Sequence, residues 1–441
     1  MNSLGDEMER ESQRLVEAVG QSDDLDFEAV EFLARSAAHR TGALFLEQLL
    51  AKRAKAAESQ APVCCEHPRP QPMRSDGWRP KTILTLLGPV RIKRRRFRCP
   101  QCGATAYPED EALNVVGTKF SPATRKLMAH AGSDASFAQA REALDLFAGI
   151  DTTTKAVERV AESVGEQVDG WMKRHGAKAM LGTCQDPGDA TLYVSFDGTG
   201  APMRKEELSR SKGKNGPART REVKLGCVFT QTGLDEEGRP VRDPNSTTYC
   251  GAIEPSVDFG HRIYQEALRR GMQNARRTVV ITDGATYNKT IIAEHFPNAT
   301  AILDIYHARE HLAAFFRDTL LQAPEGPHYE TLKDLLDTGQ IETLLSHLRR
   351  RLPRSGERRK KGLAQIAYFD NNKATMRYAL FRRQGLFIGS GVIEAGCKTL
   401  IGKRLKNSGM FWSLKGANTI IALRCCKLSN RFDDFWEETA A

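Results

Sequence analysis

Three acidic residues, far apart in the chain, stand in settings that phosphoryl chemistry could use. Asp197 follows the apolar run YVSF and precedes Gly198-Thr199-Gly200, and Asp283 follows VVIT and precedes Gly284-Ala285. Both therefore fall at the carboxyl ends of expected strands, where open α/β sheets place ligands. The glycine after each lets a backbone or a substrate come close. Glu394 lies on an expected helix, after Gly391 and one turn before Lys398. Two-metal phosphoryl transfer needs hard oxygen ligands around two Mg²⁺ or Mn²⁺ ions about 3.5–4 Å apart. Carboxylates from two strand ends and a facing helix can supply them. Either Asp-Gly pair alone would equally make an ordinary turn; the combination with a later helical glutamate is what points to a site.

A second acid and a histidine follow in DIYHAREHL, where Asp304 and His307 are spaced as D-x-x-H. Asp304 ends an apolar strand and His307 opens a helix, so the pair either organises the site or merely caps and packs that helix. The H-E-x-x-H spacing of a metalloprotease is absent. Beyond Glu394 come Lys398, Arg404 and Lys406, cations that could bind a phosphate beside the scissile bond or form a solvated basic face. Trp412 could stack on an unpaired base, or belong to the core. The runs 349–362 and 204–222 are too charged to bury and read as DNA-backbone contacts or solvated loops.

The cysteines offer different chemistry. Cys99-Pro-Gln-Cys102-Gly103 is half of a zinc-ribbon pattern, a knuckle that orients two thiolates. The upstream half is ragged, Cys64-Cys65-Glu66-His67. One Zn²⁺ ligand set is Cys64, His67, Cys99 and Cys102, with Cys65 as a substitute; a metal-free module is the alternative. VRIKRRRFR, just before Cys99, would make this module bind DNA. Cys425-Cys426 sits in a late apolar stretch and reads as core.

These residues need a scaffold, and the periodicity supplies one. Residues 1–60 read as helix; 61–80 carry five prolines that forbid a continuous one. Two short strands are expected around Gly88-Pro89, completing a zinc-ribbon-like module over 61–112. From 113 to 180 the helical period returns, broken at Gly132 and Gly149, as a helix-turn-helix or an ordinary bundle. The region 181–441 is expected to be α/β. Strands at 191–196, 223–232 and 246–253 come in quick succession, then helix and strand alternate through VVIT and ILD. A basic helical stretch occupies about 323–388 before Gly389.

The chain has 441 residues, 65 Lys plus Arg against 55 Asp plus Glu, and a net charge of +10. That excess favours a polyanionic partner. No apolar run approaches the ~20 residues that cross a bilayer. The N-terminus does not read as a secretory signal, and ten unevenly spread cysteines suit reduced thiols and metal ligands. The expectation is a cytoplasmic protein with no membrane partner.

The blocks FDGTGAPMRKEEL, ARTREVKLGCVFTQ, ITDGA, DIYHAREHL, GSGVIEAGCKTLIGKRLKNSGMFW and GANTIIALR, in that order, resemble DDE transposases of bacterial insertion sequences. The match is to the Kra group, related to Mutator-type transposases, and covers roughly 190–430 closely. The resemblance implies a multidomain α/β protein. Its catalytic domain would be a ribonuclease-H-like mixed sheet with a helical insertion, preceded by the helical and zinc-ribbon-like DNA-binding region. It implies that Asp197, Asp283 and Glu394 are the DDE triad, with Asp304 and His307 as the accessory D-x-x-H element. The implied activity is Mg²⁺-dependent cleavage of transposon ends and 3′-hydroxyl strand transfer, by a homo-oligomer on DNA associated with the nucleoid. A nuclease that cuts without joining and a domesticated DNA-binding regulator are the alternatives. Relatives show a cleaner upstream cysteine pair, which bears on the zinc site alone.

Overall fold

The computed structural model describes residues 4–20, 26–56, 61–64, 71–174, 189–208, 212–213 and 216–440. Two compact units emerge, residues 1–164 with 436–441, and residues 165–435. Among the described residues no helix is long and apolar enough to cross a membrane.

In the first unit, helices α1 (Leu4–Gly20) and α2 (Phe27–Ala56) precede a hairpin of β1 (Arg74–Thr85) and β2 (Gly88–Arg98). The strands are longer than the alternation predicts, and the chain reverses at Leu86-Leu87, just ahead of Gly88. Thr85 Oγ1 braces this turn by accepting from Leu87 N and donating to Gly88 O. One face of the hairpin packs Ile83, Val90 and Ile92 on Ala43, with Leu46 and Leu50 of α2 beside them. Burying such a side chain contributes about 1.5–3 kcal/mol. Strand β3 (Thr105–Ala106) adds to the end of β2.

Three helices follow, α3 (Pro122–Asp134), α4 (Phe137–Ala148) and α5 (Thr154–Arg174). Gly149 ends α4 with φ +63°. Gly132 breaks nothing, contrary to expectation: it sits inside α3, where a Cβ would lie 3.1 Å from Ala161 Cβ. It is there for close helix packing. The break falls at Ala135-Ser136, where Ser136 and Gln139 form a capping box that starts α4.

The second unit is built on a five-stranded mixed sheet. Its strands are β4 (Thr191–Pro202), β5 (Thr220–Gln231), β6 (Thr248–Ala252), β7 (Arg277–Thr282) and β8 (Thr300–Leu303), in the order β6-β5-β4-β7-β8. The first three pair antiparallel and the last two run parallel to β4. Leu192, Val194 and Phe196 of β4 pack with Phe259 and Ile263 of α6 (Ser256–Arg269) and Ile291 of α7 (Thr286–His295). Side chains alternate along a strand, so Tyr193, Ser195 and Asp197 share the opposite face.

After β8 comes α8 (Ile305–Ala314), which widens into a π-helical turn at Phe315–Leu320. The stretch expected to be helical holds α9 (Pro327–Asp337), α10 (Ile341–Arg350), α11 (Glu357–Asn372) and α12 (Tyr378–Arg383). Helix α13 (Gly391–Gly396) runs into a second π-helical turn, Cys397–Gly402. Helices α14 (Leu414–Leu428) and α15 (Phe432–Ala440) complete the described chain. Gly396 lets α13 settle onto the sheet, since a Cβ there would come within 2.7 Å of the Tyr249 ring.

Candidate active site

Asp197 lies inside β4, a departure from its expected place at a strand end. Parallel pairing with β7 stops at Ser195, but antiparallel pairing with β5 continues to Pro202. The arm Asp197–Pro202 thus projects past the central strand and stays extended because β5 accompanies it. The arm is tied down further on: Trp412 N donates to Pro202 O and Arg204 N donates to Trp412 O. Gly198 permits close pairing, as a Cβ there would come within 2.4 Å of Glu222 Oε1.

Asp283 is the first residue beyond β7. Its Oδ1 accepts from Ala285 N at 3.0 Å and from the buried Asn288 Nδ2 at 2.6 Å. Gly284 turns the chain with φ +81°. Glu394 is on α13, and one turn later the Cys397 thiol lies 3.9 Å from Asp197 Oδ2, which sets this helix against β4. Burial lifts the Asp197 carboxyl above its ordinary pKa; the Gly198 amide and His307 oppose this, while the charges of Asp283 and Glu394 reinforce it. Burial and the Asp197 charge likewise push the Cys397 thiol up to about 12.

Asp304 is fully buried and caps α8 through Tyr306 N. Its Oδ2 meets His307 Nδ1 at 2.8 Å and also accepts from Ser390 Oγ. Burial would raise the Asp304 carboxyl, but these donors hold it below the usual range. The hydrogen bond to Asp304 in turn pushes His307 up to about 9. Ser390 was not singled out by sequence, being one serine in a Gly-Ser-Gly stretch; its hydroxyl also lies 3.4 Å from Glu394 Oε1, bridging Asp304 and Glu394. The donor atoms of Asp304, His307 and Glu394 come within 4.8 Å of one another and could hold a metal ion. Glu394 is thus grouped at that distance with the D-x-x-H pair.

The flanking residues divide. Lys398 and Lys406 are exposed, and Lys406 Nζ donates to Thr199 Oγ1 at 2.6 Å, beside Asp197. The expected Glu394–Lys398 helix face is altered by the π-helical turn, which offsets the i,i+4 relation. Arg404 requires correction as a nucleic-acid contact, and Trp412 takes its core alternative rather than the stacking one. Arg404 is fully buried with its guanidinium 4.9 Å over the Trp412 ring, and the Trp412 indole donates to Leu405 O. They hold the segment after α13 to the core.

In the first unit, Cys64, Cys99 and Cys102 bring their sulfurs within 4.8 Å of one another and could hold a metal. The Cys99–Gly103 knuckle closes through Gly103 N to Cys99 O and Cys99 N to Ala104 O, with Gly103 at φ +74°. Cys64 and Cys102 sulfurs are 3.6 Å apart. That is close to the ~3.8 Å that tetrahedral thiolates at about 2.3 Å from one ion would show. Cys65 and His67 lie outside the described residues.

No protein-family profile matches the chain, and no curated protein matches it. Among solved structures, the Drosophila P element transposase strand transfer complex aligns with 76% of this chain and 84% of that chain. The identity is 11% and the TM-score 0.24, too low for the likeness to carry an argument.

Proposed function

We propose that the chain is a DDE transposase that cleaves transposon ends and transfers the 3′-hydroxyl strand to target DNA. The observation that carries this reading is that Cys397, one turn beyond Glu394, lies 3.9 Å from Asp197 Oδ2, while Asp283 follows the strand paired in parallel beside Asp197's own. Carboxylates brought from two neighbouring strands and a facing helix are hard oxygen donors suited to a divalent cation. Asp197, Asp283 and Glu394 would hold Mg²⁺ or Mn²⁺, which when bound lowers the pKa of an attacking water and neutralises charge on the phosphate.

The chain's own groups then have separate tasks. Asn288 and the Ala285 amide hold the Asp283 carboxylate in one orientation. Asp304 fixes the His307 ring, so its imidazolium adds positive charge among the acids. Lys406, tethered at Thr199, offers a cation beside Asp197 for a DNA phosphate. The mixed sheet, with three antiparallel strands first and two parallel ones after, supports a ribonuclease-H-like reading of the second unit, with α9–α12 as its helical insertion. The sulfur cluster supports a zinc-ribbon-like module in which Cys65 or His67 completes a Zn²⁺ site. DNA is the partner, and an oligomer would synapse two ends.

The test uses duplexes carrying the DNA that flanks the coding sequence, a target plasmid and Mg²⁺. Wild-type protein should nick the end and join its 3′-hydroxyl to the plasmid. Asp283→Asn should lose both products by at least about a thousandfold while keeping its DNA affinity. Cleavage without joining would replace the reading with a nuclease; no metal-dependent cleavage at all would refute it.

A further inference from the structure

The turn that carries Asp283 is braced from an unexpected direction. The β7–β8 ladder ends at Thr282–Leu303, so the Asp283 carbonyl is the first one past it. Tyr368 of α11 donates its hydroxyl to that carbonyl at 2.9 Å. Gly284 is walled on both sides: a Cβ there would come within 2.5 Å of Leu303 Cδ1 and 3.4 Å of the Tyr368 hydroxyl. Lys289, in the helix that follows the turn, donates to Asn371 O of α11 at 2.9 Å.

The Tyr368 ring is itself held. It stacks on His311 with centroids 3.5 Å apart and planes 18° from parallel, and Phe369 meets it edge-on at 5.7 Å. His311 Nδ1 pairs with Gln365 Oε1 at 2.6 Å. His311 lies one turn beyond His307 on α8, so α11 touches both the Asp283 turn and the helix that begins at Asp304.

We infer that Tyr368 is a positioning residue whose hydroxyl fixes the Asp283 turn, so that α11 helps to set the metal affinity of the site. The inference rests on the reading of Asp283 as a metal ligand. The Asp283 side chain is already fixed at Oδ1, and among the described residues Oδ2 accepts no hydrogen bond. What remains to be held is the main chain, and Tyr368 holds it.

The experiment is a Mn²⁺ titration of the full-length chain, followed by electron paramagnetic resonance without DNA, with Tm measured alongside. Asp283→Asn should lose the site. Tyr368→Phe keeps the ring on His311 and removes one hydrogen bond, so it should weaken Mn²⁺ about three- to tenfold with Tm near wild type. Tyr368→Leu should lose both Tm and affinity, and Phe should rescue only Tm. If Tyr368→Phe titrates like wild type while Asp283→Asn does not bind, or if its Tm falls in step with affinity, the positioning role is overturned and the transposase reading stands. If Asp283→Asn titrates like wild type, Asp283 is no ligand, and both readings fall.

Discussion

Replacing Arg431 with methionine should cost the protein about 3 kcal/mol, the lower part of the range for breaking a buried ion pair. The partner, Glu266 on α6, is fully buried. Arg431 grips it with two bonds, Nη2 to Oε1 at 2.7 Å and Nη1 to Oε2 at 3.1 Å. Thr248 Oγ1 donates to Oε1 at 2.7 Å and Arg269 reaches Oε2 at 3.4 Å; both survive the substitution, which argues for the lower figure. At roughly 2–4 °C per kcal/mol, Tm should fall by about 6–12 °C. The pH dependence follows from the sign of the shift. Burial would raise the Glu266 carboxyl, but Arg431, Thr248 and Arg269 hold it below its ordinary value. In the native protein the stabilisation is therefore present above the unfolded pKa of about 4.3 and lost as pH falls through the lower folded one. In Arg431→Met burial prevails and the carboxyl rises, so the deficit is greatest near pH 7 and shrinks on acidification, when a protonated Glu266 needs no cation. Glu266→Leu combined with Arg431→Met should recover much of the loss. Thermal unfolding followed by circular dichroism at about pH 7.5 and about pH 5 reads all three proteins. A single variant within about 2 °C of wild type near pH 7.5, or a deficit that grows towards pH 5, would refute the reasoning.

Two further outcomes concern the partners of each unit. Cys99→Ser should lower bound zinc from about one ion per chain to well below that, by elemental analysis of protein purified without chelator; unchanged stoichiometry removes Cys99 from the ligand set. Lys406→Ala should weaken DNA binding at low salt and reduce the slope of log affinity against log salt by about one. An unchanged slope means that Lys406 meets no phosphate.

The mixed sheet was legible because its strands are nearly continuous apolar runs and its helices carry a clear period. The places where sequence reasoning slipped share a cause, namely contacts between distant segments. Nothing local says that YVSFDGTGAP continues as a strand, since it is β5 that keeps residues 197–202 extended. Gly132 resembles a helix breaker until Ala161 is seen against it. Arg404 looks like surface chemistry in a basic segment, yet it is fully buried with its guanidinium over the Trp412 ring. Ser390 and Tyr368 carry no motif; each matters through a single hydroxyl aimed at a residue dozens of positions away.

The widened turns after α8 and α13 have a consequence for how this chain can vary. A π-helical turn holds one residue more than the α-helix it interrupts. Losing one residue within Cys397–Gly402 would let the helix regularise over nearly the same angle, so Leu400, Ile401 and Leu405 would stay buried and Glu394 would keep its direction. A second loss has no spare residue to draw on: it would swing everything upstream by about 100° and aim Glu394 away from β4. In this segment one codon is expendable and the next is not, although neither deletion need touch a named side chain.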